Sequence, residues 1–217
     1  MTLLISFSLL IVTLRKGLEY TLALFAGLGV LIAFTITLPL DIFGWPILLG
    51  EAFFASFFLG TDIITDNFGE KEAKKMVHSM LAGFVGTILF SKLLIFITPN
   101  SEMAIALGSF FNPLTAISIV IVAIVIFFEQ RVDIFIFSKI KEVTGERYLW
   151  VRNCVSTMMT QTLDVVVAYP IFLFPVFGWD VWKLMVAAII LKWTMALIDT
   201  PVVYLSRNLL RNKQSYN

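Results

Sequence analysis

The chain has 217 residues, of which 59% are hydrophobic and 14% charged, and its mean hydropathy is +0.93. A single soluble core of this size does not bury so much apolar surface, whereas a helical bundle solvated by lipid does. The composition therefore excludes a soluble enzyme, a disordered chain and a basic nucleic-acid-binding protein. The net charge of +1, from 16 basic and 15 acidic residues, identifies no partner by itself.

Seven apolar stretches follow one another along the chain. A helix needs about 20 residues to cross a hydrocarbon core about 30 Å thick. The first stretch, residues 2–14, is short by this measure, and whether it fully spans the membrane stays open. The others run over residues 20–40, 46–62, 77–98, 113–138, 153–177 and 181–205. We expect an all-α polytopic membrane bundle with six core transmembrane helices and a short N-terminal hydrophobic helix.

The domain plan and the orientation follow from the same stretches. We expect one integral membrane domain over residues 1–217, with a peripheral helix at 1–19, the core bundle at 20–206 and a cytoplasmic tail at 207–217. Basic residues concentrate in every second loop, and the positive-inside rule places these loops and the C-terminus in the cytoplasm. We therefore expect a multi-pass protein of the cytoplasmic (inner) membrane. The four basic groups are Arg15 and Lys16; Lys71, Lys74 and Lys75; Lys139, Lys141, Arg147 and Arg152; and Arg207, Arg211 and Lys213.

Charged side chains inside the predicted spans are candidates for a transport path, because a charge at the bilayer centre is costly. They are Glu51, Lys92, Glu129, Arg131, Asp133, Asp164, Lys192 and Asp199, and Asp62 lies at a predicted span end. Glu51 and Lys92 lie close to outer span ends, where their side chains are expected to reach the interface and serve a structural role.

One predicted helix carries polar side chains on a single face. Asn153, Thr157, Gln161 and Asp164 are spaced by four, four and three residues, which aligns them along one side of a helix. Asp164 lies about 16 Å from the cytoplasmic end by helical rise, near the middle of the bilayer. The sequence therefore predicts a polar stripe that faces the interior of the bundle.

The neighbouring helices offer partners for this stripe. Gln130 and Asp133 repeat the three-residue step of Gln161 and Asp164 on the preceding helix. Lys192 lies about eleven residues into the last span, and Asp199 follows two turns later on the same face. We expect Lys192 to pair with Asp164 or Asp199, either within a binding site or as a buried ion pair that fixes helix packing.

A set of motifs follows in fixed order along the chain. The motifs are Thr61-Asp62-Ile63-Ile64-Thr65-Asp66-Asn67-Phe68-Gly69, Lys71-Glu72-Ala73, Ser138-Lys139, Thr144-Gly145, Tyr148-Leu149-Trp150-Val151-Arg152-Asn153, Ser156-Thr157, Gln161, Asp164, Lys192-Trp193, Ala196-Leu197, Asp199-Thr200-Pro201 and Tyr204. Together they resemble the queuosine precursor transporter family, also called the vitamin uptake transporter-like family, and the likeness covers about residues 20–206.

The resemblance implies a six-helix bundle similar to the substrate-binding components of energy-coupling-factor importers. It also implies import of 7-deazaguanines such as 7-cyano-7-deazaguanine, 7-aminomethyl-7-deazaguanine or queuine for tRNA queuosine salvage. Carboxylates and side-chain amides suit the N–H donors and the carbonyl of such a purine-like substrate. The expected substrate-binding residues are Asp164, Gln161, Asp133, Gln130, Lys192, Asp199, Asp62 and Asn153.

We expect a transporter rather than an enzyme, with no catalytic residue, metal ion or cofactor, because the sequence holds no P-loop and no nucleophile elbow. The expected partners are the lipid bilayer and a small purine-like molecule, with no nucleic acid. Alternating access by the lone bundle is the expected mechanism. The alternatives are a substrate-binding subunit of an ATP-driven vitamin importer and a non-transport membrane scaffold. Energy coupling, a coupling subunit and homo-oligomerisation stay open.

Overall fold

The protein is an all-α polytopic membrane bundle, here described from a computed structural model that covers residues 2–36, 38–42, 44–111, 113–145, 147–172, 174 and 178–214. The predicted fold class is confirmed. The helices longer than one turn within these residues are α1 Thr2–Lys16, α2 Leu18–Thr35, α3 Gly50–Phe68, α4 Glu70–Ile97, α5 Glu102–Phe110, α6 Pro113–Thr144, α7 Leu149–Phe172 and α8 Val181–Gln214.

Six of these helices correspond to the six predicted core spans. Three segments are long and apolar enough by themselves to cross a membrane: α2, α4, and α8 with the 3-10 turn before it. The remaining three, α3, α6 and α7, carry most of the buried polar side chains of the bundle. Large apolar side chains such as Phe90 and Phe96 are exposed on the outside of α4, where lipid would solvate them.

A short β-ribbon interrupts the helices between α2 and α3. Strand β1, Pro39–Ile42, pairs antiparallel with β2, Trp45–Leu48, and the Gly44 N–H donates to Asp41 Oδ1 at 2.8 Å. Gly44 has a φ of +81°, which glycine adopts without steric cost in a tight turn. The predicted span boundaries 20–40 and 46–62 are therefore wrong: α2 ends at Thr35, and α3 runs on to Phe68.

Helices α2 and α4 approach each other closely through glycine. A Cβ atom added to Gly29 would lie 2.0 Å from the carbonyl oxygen of Met80, and one added to Gly83 would lie 2.0 Å from that of Ala26. The Ser79 hydroxyl also donates to the Leu22 carbonyl at 2.7 Å. Residue numbers thus increase in the same direction along both helices, so α2 and α4 run parallel, and their backbones are in van der Waals contact.

Ion pairs fix the directions of the other long helices. Asp66 near the end of α3 contacts Lys141 near the end of α6 and Arg207 on α8, whereas Glu51 at the start of α3 contacts Lys192. Hence α3, α6 and α8 run the same way. Helix α4 follows α3 after one residue and therefore starts at the Asp66 end, as does its parallel neighbour α2. All four basic groups of the sequence lie at this end, which we call the basic end.

Helix α1 packs against the bundle by one face. Phe7, Leu10 and Leu14 of α1 are buried in the main apolar core together with Phe25 and Phe57. The opposite face of α1, with Ile5, Leu9 and Val12, is exposed. Helix α8 continues to residue 214, so helical structure extends through most of the segment expected to be a tail.

Candidate functional site

Buried polar side chains of α3, α6, α7 and α8 occupy three levels along the bundle axis. Glu51 and Asp66 are fifteen residues apart on α3, and their partners Lys192 and Arg207 are fifteen residues apart on α8. At 1.5 Å per residue, these two ionic levels are separated by about 22 Å. The third level lies between them.

The level at the basic end is a cluster of three cations around one acid, which we call the Asp66 cluster. Arg152 on α7 donates a hydrogen bond to Asp66 Oδ1, Lys141 Nζ lies 3.4 Å from the same oxygen, and Arg207 Nε lies 3.6 Å from Oδ2. Arg152 is fully buried and also donates to the Gly145 carbonyl at 2.7 Å. This cluster therefore ties α3, α6, α7 and α8 together at one end.

The opposite level, which we call the Lys192 cluster, is also ionic. Lys192 Nζ lies 3.0 Å from Asp164 Oδ2 and 3.1 Å from Glu51 Oε2, and the Tyr169 hydroxyl donates to Glu51 Oε1 at 2.5 Å. The expected pairing of Lys192 with Asp164 is thus present. Among the ion pairs of the described chain, Lys192 has none with Asp199, the other partner that the sequence left open.

The expectation that Glu51 reaches outward to the interface is wrong. Its side chain is 8% exposed and turned inward to Lys192 and Tyr169. The reason is the β-ribbon, which precedes α3 and packs through β2 against α8, so that the first turn of α3 is enclosed. Glu129 of α6 lies within electrostatic range of the same cluster.

Five almost fully buried polar side chains form the third level, which we call the middle layer. They are Asp62 on α3, Gln130 and Asp133 on α6, Asn153 on α7 and Asp199 on α8. Asp62 was expected at a span end, but it lies well inside α3 because that helix continues six residues beyond the predicted boundary. Four helices thus contribute buried polar groups between the two ionic levels.

Hydroxyl groups hold part of the middle layer in place. Thr157 donates to Asp62 Oδ2 at 3.2 Å, and Thr160 donates to Asp133 Oδ1 at 3.1 Å. The Thr61 hydroxyl donates in the same way to Gln130 Oε1 at 3.1 Å. Each of these bonds leaves the second polar atom of the acid or amide free, so the threonines orient the groups without saturating them.

The unsaturated atoms are the chemical signature of the middle layer. Gln130 Nε2, Asn153 Oδ1 and Asp199 Oδ1 are buried, and no described residue forms a hydrogen bond with any of them. Asp62 Oδ1 and Asp133 Oδ2 are buried as well, and the two carboxyl groups face each other, so that a proton on one of them links the pair by a hydrogen bond. An unpaired buried polar group costs about 1–3 kcal/mol, so this concentration of poorly satisfied atoms makes the middle layer the candidate binding site.

The eight residues expected from the sequence therefore divide between two levels. Asp62, Gln130, Asp133, Asn153 and Asp199 meet in the middle layer, whereas Asp164 and Lys192 belong to the Lys192 cluster. Gln161 is buried on α7 between the two levels.

Several residues of the site lay outside that expected set, and periodicity along α7 could have identified some of them. Arg152, Ser156 and Thr160 repeat every four residues and are all buried. Tyr169 continues the four-residue steps that begin at Thr157. The column of residues beside the predicted stripe would have identified Arg152 of the Asp66 cluster, and two further turns beyond Gln161 would have reached Tyr169 of the Lys192 cluster.

Comparison with known proteins assigns the bundle to a family. The family model described as "Putative vitamin uptake transporter" matches residues 49–206, which run from just before α3 to the last turns of α8. The chain belongs to the vitamin uptake transporter family. The matched segment contains the middle layer, the Lys192 cluster and all of the Asp66 cluster except Arg207, so it covers the part of the chain in which the candidate site lies.

A relative adds a more specific name. The "Probable queuosine precursor transporter" of Bacillus subtilis (strain 168) is 25% identical to this family member over 178 residues, which cover 80% of the present chain and 77% of the relative. No solved structure matches the chain.

Proposed function

We propose that this protein imports 7-deazaguanine precursors of queuosine across the cytoplasmic membrane and binds them in the middle layer. The observation that carries the proposal is the set of five buried, poorly satisfied polar atoms on four helices between two ionic clusters. The name of the Bacillus subtilis relative supports the substrate class.

The polar groups of the middle layer complement a guanine-like ring. Such a ring presents two N–H donors on one edge with a carbonyl beside them. The free oxygens of Asp62 and Asp133 can accept those donors, and the free amide of Gln130 can donate to the carbonyl. Charge-assisted hydrogen bonds of this kind are about twice as strong as neutral ones.

The arrangement of the levels suits alternating access by a single membrane domain. In our proposal the basic end faces the cytoplasm, as the positive-inside rule requires, so the C-terminus is cytoplasmic. The Asp66 cluster then closes the inner side of the middle layer, and the Lys192 cluster closes its outer side. Opening one cluster at a time would expose the bound solute to one side of the membrane.

Uptake by cells that depend on a supplied deazaguanine tests the proposal. Gln130→Ala and Asp133→Asn should each abolish most uptake at normal expression, because they remove free groups of the middle layer. Asp180→Asn is the matched control, since Asp180 is exposed and its ion-pair partner among the described residues is the exposed Lys183. Full uptake by both middle-layer variants would show that the solute does not bind in the middle layer. If no deazaguanine stabilises the purified protein, the proposed substrate class is wrong.

One observation favours a second candidate function, that of a substrate-binding subunit in an ATP-driven vitamin importer. A groove between α2, α4 and α5 opens on the outside of the bundle, and small residues such as Ala82, Gly86 and Ser91 line it. Such a surface suits the close approach of a partner helix. Substrate uptake by the lone chain in proteoliposomes would contradict this function, whereas co-purification with a membrane ATPase complex needed for uptake would support it.

A further inference from the structure

The middle layer contains three carboxyl groups with no cation beside them among the described residues. Asp62, Asp133 and Asp199 come from three helices between the two ionic levels, and none of them takes part in an ion pair of the described chain. The cations of α8 on either side, Lys192 and Arg207, contact carboxylates of the other two levels.

Asp199 is the least satisfied of the three acids. Asp62 and Asp133 each accept a threonine hydroxyl, but no described residue donates to Asp199 Oδ1, and the residue is only 3% exposed. The Asn153 amide nitrogen, which contacts α8 nearby, donates instead to the Ala196 carbonyl and the Thr200 hydroxyl, both at 3.4 Å. A neutral guanine-like ring that uses Asp62, Asp133 and Gln130 would leave this third carboxylate without a partner.

A buried ionised carboxylate is costly unless a cation or hydrogen-bond donors compensate it. Among the described residues, no group of His, Cys, Asp or Glu is arranged to hold a metal ion. A cation on the solute would supply the compensation that Asp199 lacks among the described residues. A protonated amine meets the requirement, because it supplies both a positive charge and three N–H donors.

We propose that the middle layer selects 7-deazaguanines whose 7-substituent carries a protonated amine, and that Asp199 is the residue that receives the ammonium group. This inference rests on the proposed function, since it assigns one more group of the same solute to the same site. A nitrile at the same ring position offers Asp199 neither charge nor donor. Asp199 is thus a specificity-determining residue that separates two solutes with the same ring.

The test is a binding measurement on the purified full-length chain in detergent at neutral pH, with 7-aminomethyl-7-deazaguanine and 7-cyano-7-deazaguanine as a matched pair. The wild-type protein should bind the amine at least about tenfold more tightly than the nitrile, a difference of about 1.4 kcal/mol. Asp199→Asn should reduce that ratio to about threefold or less by weakening the amine alone. Asp199→Glu, which keeps the charge, should retain the preference for the amine.

The outcomes separate this inference from the proposed function. Equal or tighter binding of the nitrile by the wild-type protein would overturn the inference and leave the proposed function in place. Binding of neither ligand would overturn the proposed function itself. If Asp199→Asn weakens both ligands equally, Asp199 acts through structure and the assignment is wrong. The melting temperature without ligand, and unchanged binding by Asp180→Asn, show that each comparison is made on folded protein.

Discussion

Asp62 and Asp66 lie one helical turn apart on α3, and both are buried, yet their surroundings are opposite. Asp66 contacts the cations Arg152, Lys141 and Arg207, whereas Asp62 accepts one hydroxyl hydrogen bond and faces another acid. The charge of Asp66 is compensated within the protein and holds helices together. No cation lies beside the Asp62 carboxyl group among the described residues, so this group is available to a solute. Residue type and depth alone therefore do not separate a structural acid from a binding acid.

The largest effect is expected from Asp66→Asn. The substitution leaves three cations without their acid, and the two arginines cannot lose their protons. Removing one partner of a buried ion pair typically destabilises a protein by about 3–5 kcal/mol. We expect a much lower melting temperature and a poor yield of monodisperse protein, measured in one detergent against wild type. Asp66→Glu, which retains the charge, is the control, and a wild-type melting temperature for Asp66→Asn would contradict the structural role.

Asp62→Asn should give the complementary result. The amide retains the shape of the side chain but removes a charged acceptor that we assign to the solute, an interaction worth about 1.5–3 kcal/mol. Uptake should fall about 10- to 100-fold, while the melting temperature without solute stays close to that of wild type. The two asparagine variants should be measured side by side. If Asp62→Asn strongly lowers the melting temperature but leaves uptake per folded molecule normal, Asp62 has a structural role and the assignment is wrong.

The sequence predicted the polar stripe well because helical periodicity is a local property. Asn153, Gln161 and Asp164 lie on an inward face of α7 as their spacing required, and the family motifs led to the confirmed family. The β-ribbon was missed because its strands are nearly as apolar as a span, although Pro39, Asp41, Gly44 and Pro46 mark a break in the helices and a reversal.

Contacts between distant residues were beyond the reach of the sequence pattern. Asp66 and Arg152 are 86 residues apart, and a spacing rule within one helix cannot pair them. The missed ribbon also shifted the expected end of α3, which is why Asp62 was placed at a span end and Glu51 was assigned to the interface. The expected depths of Asp62 and Glu51 in the membrane were therefore wrong, because they depended on the position of a turn that the apolar composition did not reveal.

Lys192→Met extends the comparison to the other ionic level. The substitution leaves Glu51 and Asp164 buried without their cation, but protonation can neutralise a carboxylate, which limits the cost relative to orphaned arginines. We expect a loss of about 1–3 kcal/mol in unfolding free energy. A double-mutant cycle with Glu51→Gln should show a coupling of at least about 0.5 kcal/mol. Additive effects of the two substitutions would contradict the ion pair.

The smallest effect is expected from Lys75→Ala at the basic end. Lys75 Nζ lies 2.7 Å from Glu72 Oε1, a shorter contact than either ion pair of Lys192, but the lysine side chain is 51% exposed. Exposed pairs contribute about 0.2–1 kcal/mol because water and salt screen them. Stability and uptake should both stay near wild type, with any loss of stability decreasing further at high salt. If Lys75→Ala destabilised the protein as strongly as Lys192→Met, contact distance rather than burial would determine the strength of these ion pairs. The stabilising role that we assign to the buried Asp66 cluster, in contrast to exposed ion pairs, would then be wrong.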